Sequence, residues 1–330
     1  MSGATGTGGG TGETPTLDPE TLLEEAALDT VEGVVDGTVP GPLAVVGDPF
    51  AGREAVLDRV ADRLDATRVR LGPETGVGVV EEALDSDGGP LVVDGCQHLY
   101  TRTVGGFEDL ERCLDLLAGV EGPVVTGWNR YAWSYLAAVR DVDGDIPERV
   151  EVGPVAAEAL AELLLARYEE MPEFAGEDGP GRLVTVRRVT VAGVEVPLPA
   201  VDRAALAALG EDEPDPRDIV FERLAAVSEG NVGVAVALWE RLRGNQVRPG
   251  DIVGPDASSL DRETAFCLRV VLAKERVSRA ELAAVVGTDV ERVLGRLRRA
   301  ELVSEEGGVV ALNPAALPTA VAETERERIL

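Results

Sequence analysis

Short apolar runs and longer amphipathic stretches alternate through the first half of the chain. Leu43–Gly47, Thr67–Leu71, Pro90–Asp94, Pro123–Thr126 and Arg149–Val152 are apolar or β-branched, as expected of strands buried on both faces. Amphipathic stretches follow them at about 52–64, 77–84, 106–118, 131–140 and 156–169. This repeated order predicts an open, doubly wound α/β layer around a five-stranded parallel sheet. Ligands of such sheets bind at the carboxyl ends of the strands. Ahead of the first strand, Asp18-Pro19-Glu20 has the order of an N-cap, a first-turn proline and an early acid. It predicts one helix running to about Asp29 that carries Leu22, Leu23, Ala26 and Ala27.

The alternation stops at 171–217, where Met171-Pro172, Gly179-Pro180-Gly181, Pro197, Pro199, Pro214 and Pro216 surround a β-like stretch, Leu183–Val196. That composition predicts an insertion or linker. Helical spacing returns at about 217–228 and 231–243, with Leu224, Val227, Val234, Ala235, Leu238 and Leu242 as the buried stripe of a small helical lid. The expected divisions are a flexible leader at 1–16, an α/β domain at 17–170, the insertion at 171–216, the lid at 217–255 and a last domain at 256–330.

That last domain reads as a helix near 262–274, two capping boxes (Ser278 with Glu281, Thr288 with Glu291) around Gly287, and a β-wing at Leu302–Val303 and Val309–Leu312 about Gly307-Gly308. This is the order of a winged helix-turn-helix. On the expected recognition helix Val290, Val293, Leu294 and Leu297 share one face, and Arg292, Arg296 and Arg299 the opposite one. The stretch 288–300 is thus the candidate DNA contact. Glu291, Glu301, Glu305 and Glu306 lie beside it, and a protein partner is the other expectation for this domain.

Charge changes the picture in one respect. Sixty acids against 31 bases leave −29, and Lys274 is the only lysine. Such a density is tolerable where salt is molar and the Debye length falls to about 3 Å, so it predicts salt-in adaptation rather than a basic partner. Residues 261–330 carry 12 acids and 11 bases, leaving almost all of the excess on the first 260. No apolar run reaches the roughly 20 residues of a membrane span, and the N-terminus has no signal-peptide pattern, so a cytoplasmic protein without membrane insertion is expected. Three cysteines without CxxC spacing and a single histidine, His98, argue against a zinc site, a disulfide framework or a Ser/His/Asp triad.

The candidate chemistry lies at the strand ends. Gly47-Asp48-Pro49-Phe50-Ala51-Gly52-Arg53-Glu54 follows the first strand and opens a helix, with the glycine spacing of a phosphate-binding P-loop. Arg53 stands where that motif has Lys, and Glu54 where it has a magnesium-binding hydroxyl. Arginine keeps the charge in a larger planar fork. A carboxylate about 4 Å from a phosphate oxygen is repelled by around 4 kcal/mol per unit charge at an effective dielectric near 20. Leu91-Val92-Val93-Asp94 has the form of a Walker B strand, which makes Asp94 the candidate magnesium ligand; Gly95 stands where an ATPase carries its water-orienting carboxylate. Thr126 and Asn129, past the fourth strand, are candidate phosphate sensors.

The order of P-loop, Walker B strand, polar sensor strand, lid and winged helix resembles AAA+ and STAND-type P-loop ATPases, including archaeal members related to replication initiators. The resemblance implies ATP or ADP and Mg2+ as cofactors, held by Gly47, Asp48, Gly52, Arg53, Glu54, Asp94, Thr126 and Asn129. Ser228-Glu229-Gly230-Asn231 is similar to the family's lid signature, but Val232-Gly233-Val234 supplies no sensor arginine, and Arg140 is the nearest finger-like base. With the Lys, the hydroxyl, the second carboxylate and the lid arginine all replaced, no catalytic residue is assigned. The resemblance then implies a nucleotide-binding switch or adaptor with weak or no hydrolysis. A winged-helix DNA-binding regulator on a P-loop scaffold and an unconventional ATPase are the alternatives.

Overall fold

A computed structural model describes residues 19–39, 41–87, 89–166, 168, 171–176, 184–191, 194–201, 215–242, 246–255, 259–287 and 289–329. The expected leader at 1–16, the Asp18 cap, Gly179-Pro180-Gly181, Pro214 and the Thr288 cap lie outside the described residues.

Five parallel strands, β1 (Pro42–Gly47), β2 (Thr67–Arg70), β3 (Leu91–Asp94), β4 (Val124–Asn129) and β5 (Glu148–Glu151), form a sheet in the order β2-β3-β4-β1-β5. This is a P-loop NTPase-like α/β fold. Strand alternation feeds two cores: Leu43, Val45, Val92 and Val125 face one, and Ala44, Val46, Val93 and Val124 the other. The helices are α1 (Pro19–Leu22), α2 (Glu25–Val35), α3 (Arg53–Leu64), α4 (Gly78–Asp87), α5 (Glu108–Ala118), α6 (Arg130–Arg140), α7 (Val142–Asp145) and α8 (Ala157–Leu165).

The structure corrects two expectations here. The first helix is broken: one segment ends at Leu22, the next starts at Glu25, and Leu22 O accepts from Gly153 N. Strand β4 runs on to Asn129, three residues past its expected end. The β-like stretch in the insertion is a hairpin of β7 (Val184–Val191) and β8 (Val194–Val201). A short parallel pair, β6 (Glu173–Phe174) with β9 (Gln246–Val247), joins the chain before and after the lid helices α9 (Pro216–Ser228) and α10 (Val232–Glu240).

Beyond the lid come α11 (Arg262–Lys274), β10 (Arg276–Ser278), α12 (Arg279–Val286), α13 (Val290–Arg299), β11 (Val303–Glu306), β12 (Val309–Leu312) and α14 (Leu317–Arg326). The strands form an antiparallel sheet in the order β10-β12-β11. Ser278 caps α12 by accepting from Glu281 N, but the Glu281 carboxylate turns to Lys274 and does not complete a capping box. Val293, Leu294 and Leu297 are buried, and the arginines of α13 point outward.

The C-terminal unit does not stand apart. The apolar cluster that contains Leu43 and Leu57 continues through the lid into Leu268, Leu294 and Ala320. Ala273, at the end of α11, is fully buried in the second sheet core, beside Tyr100 and Trp128. Among the described residues no helix is long and apolar enough to cross a membrane.

Candidate functional site

Strand register brings three of the expected residues to one edge. Gly47 pairs with Asn129, and Asp94 ends β3 opposite Arg70, so Gly47, Asp94 and Asn129 sit together at the carboxyl end of the sheet. The loop turns through Phe50 at φ 65° and Gly52 at φ 94° to start α3, whose first residue is Arg53. Glycine takes the second of these angles without a Cβ penalty. Gly127 on β4 has a packing role: a Cβ there would lie 2.5 Å from both Asp94 Oδ1 and Leu57 Cδ1.

Arg53 turns inward, 7% exposed. Its Nε donates to Asp94 Oδ1 at 3.1 Å and its Nη1 to Glu275 Oε1 at 3.2 Å. Asn129 Nδ2 donates to the same Glu275 oxygen at 3.0 Å and to Leu272 O at 2.9 Å, while its Oδ1 caps α6 by accepting from Tyr131 N at 2.8 Å. Asp94 Oδ1 also accepts from Gly95 N at 2.8 Å, and Arg68 Nη2 lies 3.9 Å from Asp94 Oδ2. Asp94, Arg53, Glu275 and Asn129 are therefore linked in that order in a buried network, whose third member lies 222 residues beyond Arg53 in the chain.

The electrostatics of the network follow from its burial. Desolvation works against the Arg53 charge, but Glu275 and Asp94 outweigh it and hold the guanidinium pKa above its ordinary value. For Glu275 burial prevails over Arg53 and Asn129, and its pKa is raised. Beside it, Lys274 is 1% exposed. It donates to Tyr100 O, lies 4.3 Å from the centre of the Tyr100 ring and pairs with Glu281 at 3.2 Å. Burial brings its pKa down to about 8. Burial, with Lys274 and Arg53 nearby, pushes His98 down to about 3, so its imidazole is neutral.

The other expected residues are placed differently. Thr126 is completely buried in mid-strand, donating to Leu43 O and accepting from Trp128 Nε1, so it does not reach the sheet edge. Glu54 is exposed on α3 and outside the network. Asp48 pairs with Arg130 at 3.3 Å beside a cavity of about 210 Å³ that is also lined by Glu229, Tyr131 and Asn231. Burial raises the Asp48 pKa against the pull of Arg130, and burial raises that of Glu229. Arg140 pairs with Glu111, outside the network. In the lid, Asn231 caps α10 and donates to Pro49 O at 2.8 Å, and Gly233 N donates to Phe50 O at 2.9 Å. The lid thus grips the loop through the main-chain carbonyls of Pro49 and Phe50.

Guanidinium and amide converging on one carboxylate oxygen form an anion receptor, and that donor set fits a phosphate oxygen. The acceptors do not fit magnesium: Asp94 Oδ1 is taken by Arg53 and Gly95, and Oδ2 faces the Arg68 guanidinium at 3.9 Å, so two cations already neutralise the carboxylate that a metal ion would need. Among the described residues no group of three or more His, Cys, Asp or Glu side chains is arranged for a metal ion.

No family model matches the chain, and no curated protein matches it. Solved structures similar to it include the RuvB Holliday junction branch migration motor of Thermotoga maritima, at 13% identity over 93% of this chain and 97% of that one, TM-score 0.41. The ORC1 protein of Aeropyrum pernix, solved in complex with DNA, is 17% identical over 94% of each chain, TM-score 0.36. A STAND protein with a tetratricopeptide repeat sensor from Pyrococcus horikoshii is 11% identical over 94% of this chain and 43% of that one, TM-score 0.36.

On α13, Arg292 pairs with Asp289 and Glu263, and Arg296 with Asp261, while Arg299 is exposed. Two of the three candidate DNA-contacting arginines thus meet acids of their own chain. Sequence reasoning missed Glu275, Lys274, Arg68 and Arg130. Only the singularity of the one lysine marked any of them, since no local motif surrounds Glu275.

Proposed function

We propose that this chain is an AAA+/STAND-like, salt-adapted switch or adaptor that binds ATP or ADP at a degenerate P-loop and turns it over weakly or not at all. The observation that carries the reading is the convergence of Arg53 and Asn129 on a single anionic oxygen at the carboxyl edge of the sheet. An anion receptor made by loop 47–53 and the tip of β4 is what a terminal phosphate needs. Weak hydrolysis follows from what stands around it: Gly95 where a water-orienting carboxylate belongs, Glu54 in place of the hydroxyl, and an acceptor set that does not fit magnesium.

The C-terminal unit, with its winged-helix order, would be the output module, and a protein partner suits its surface better than DNA. Arg292 and Arg296 are already matched by Asp289, Glu263 and Asp261, so phosphate contact would first have to break those pairs. Calorimetric titration of ATP and ADP in molar KCl, with Asp94→Ala and Asn129→Ala as controls, tests the reading. Binding lost in Asn129→Ala, with phosphate release near background, is expected. A folded wild type that binds neither nucleotide would reduce the P-loop layer to scaffold.

A further inference from the structure

Glu275 has an unusual backbone. It ends α11 at φ 62° and ψ −47°, a combination that side-chain-bearing residues rarely adopt. Its N–H bonds to Val271 O and its C=O accepts from Leu312 N, so the turn itself asks only for a glycine. A strained residue held in place by its surroundings is a mark of function. Here the feature that glycine could not supply is the carboxylate on Arg53 and Asn129.

The neighbouring residues act with it. Leu272 O accepts from Asn129, Ala273 fills the second sheet core, and Lys274 reaches Tyr100 O. Four consecutive residues at the end of α11 plug into the α/β layer, with the negative end of the helix dipole turned toward Arg53. A ligand that takes Arg53 and Asn129 therefore removes the Glu275 anchor that helps to hold that helix end.

We propose that the Glu275 carboxylate is a built-in surrogate for a terminal phosphate, so that a nucleoside di- or triphosphate and the C-terminal unit compete for Arg53 and Asn129. The inference rests on the nucleotide reading above for its ligand, and adds that binding and release of the C-terminal unit are one event. A phosphate group brings more charge and more oxygens to the same donors, which gives it the differential affinity a switch requires. A latch closed about 99% of the time weakens apparent affinity about 100-fold, and opening it returns that factor.

The test uses the full chain in molar KCl and two variants, Glu275→Gln and Glu275→Gly. The glycine variant removes the carboxylate while relieving the backbone, which keeps the experiment informative should the glutamine variant fold poorly. ATP affinity is measured by calorimetry, and amide exchange of 271–279 is measured without ligand and with saturating ATP. At least tenfold tighter ATP binding in the variants is expected, with at least tenfold faster exchange in their ligand-free 271–279 and the same acceleration in wild type on adding ATP. Affinity within twofold of wild type, or unchanged exchange in a folded variant, overturns the latch and leaves the nucleotide reading standing. ATP binding by none of the three proteins overturns both.

Discussion

Replacing Arg53 by methionine keeps the apolar length of the side chain and strips the buried network of its cation. At 3.1 and 3.2 Å, each of its two ion pairs has a gross attraction on the order of 5 kcal/mol at an effective dielectric near 20. Most of that is offset by the several kcal/mol needed to desolvate each ion. The variant, however, would keep the desolvated acids and lose their partner, with Asp94 only 4% exposed. Arg68 at 3.9 Å and the Gly95 N–H remain for Asp94, and Asn129 for Glu275. The expected loss is about 3 kcal/mol or somewhat more. Its pH dependence is the signature: Glu275 already has a raised pKa, and without Arg53 it rises further. The folded variant would thus take up a proton on acidification that its unfolded chain does not bind, and the deficit should shrink from pH 8 to pH 5. Urea unfolding in molar KCl at both pH values measures it. A cost below about 1 kcal/mol at pH 8, or one that does not change with pH, refutes the buried-network account.

Other consequences concern residues outside that network. His98 is the only histidine, so its imidazole resonances are unambiguous; they should not titrate between pH 8 and 5 in the folded protein, in keeping with a pKa near 3. Its unfolded counterpart titrates near 6.5, so stability is lost as pH falls below that value. The loss by pH 5 is about 2 kcal/mol, visible as the difference between wild type and His98→Gln across the range. Gly233→Ala would put a Cβ 2.5 Å from Phe50 Cβ and 2.8 Å from Phe50 O, and should cost about 1–3 kcal/mol in thermal unfolding as the lid is forced off the loop. Arg296→Ala removes only an exposed pair with Asp261 and should shift stability by less than about 1 kcal/mol; a larger loss would give α13 a structural role that its exposed arginines do not suggest.

The elements legible in the sequence are those whose periodicity is local. Strands β1 to β3, helices α3 and α5, and the buried stripe of α13 follow from apolar spacing alone. The end of β4 did not, because Gly127-Trp128-Asn129 reads as a loop until one sees that Gly127 makes room for Asp94 and Leu57. That extension moves the polar strand tip from Thr126 to Asn129 and leaves Thr126 bonded inside the sheet. Arg53, Asp94 and Asn129 were recognisable because the strand-end rule points to them. Glu275 was not, since only the packing of α11 against the sheet brings it across 222 residues.

The most direct measurement is a crystal structure grown from molar KCl with a non-hydrolysable ATP analogue. The account predicts the terminal phosphate on Arg53 and Asn129, with the Glu275 carboxylate withdrawn and the end of α11 displaced from Tyr100. An analogue bound elsewhere while Glu275 remains on Arg53 and Asn129 would contradict it.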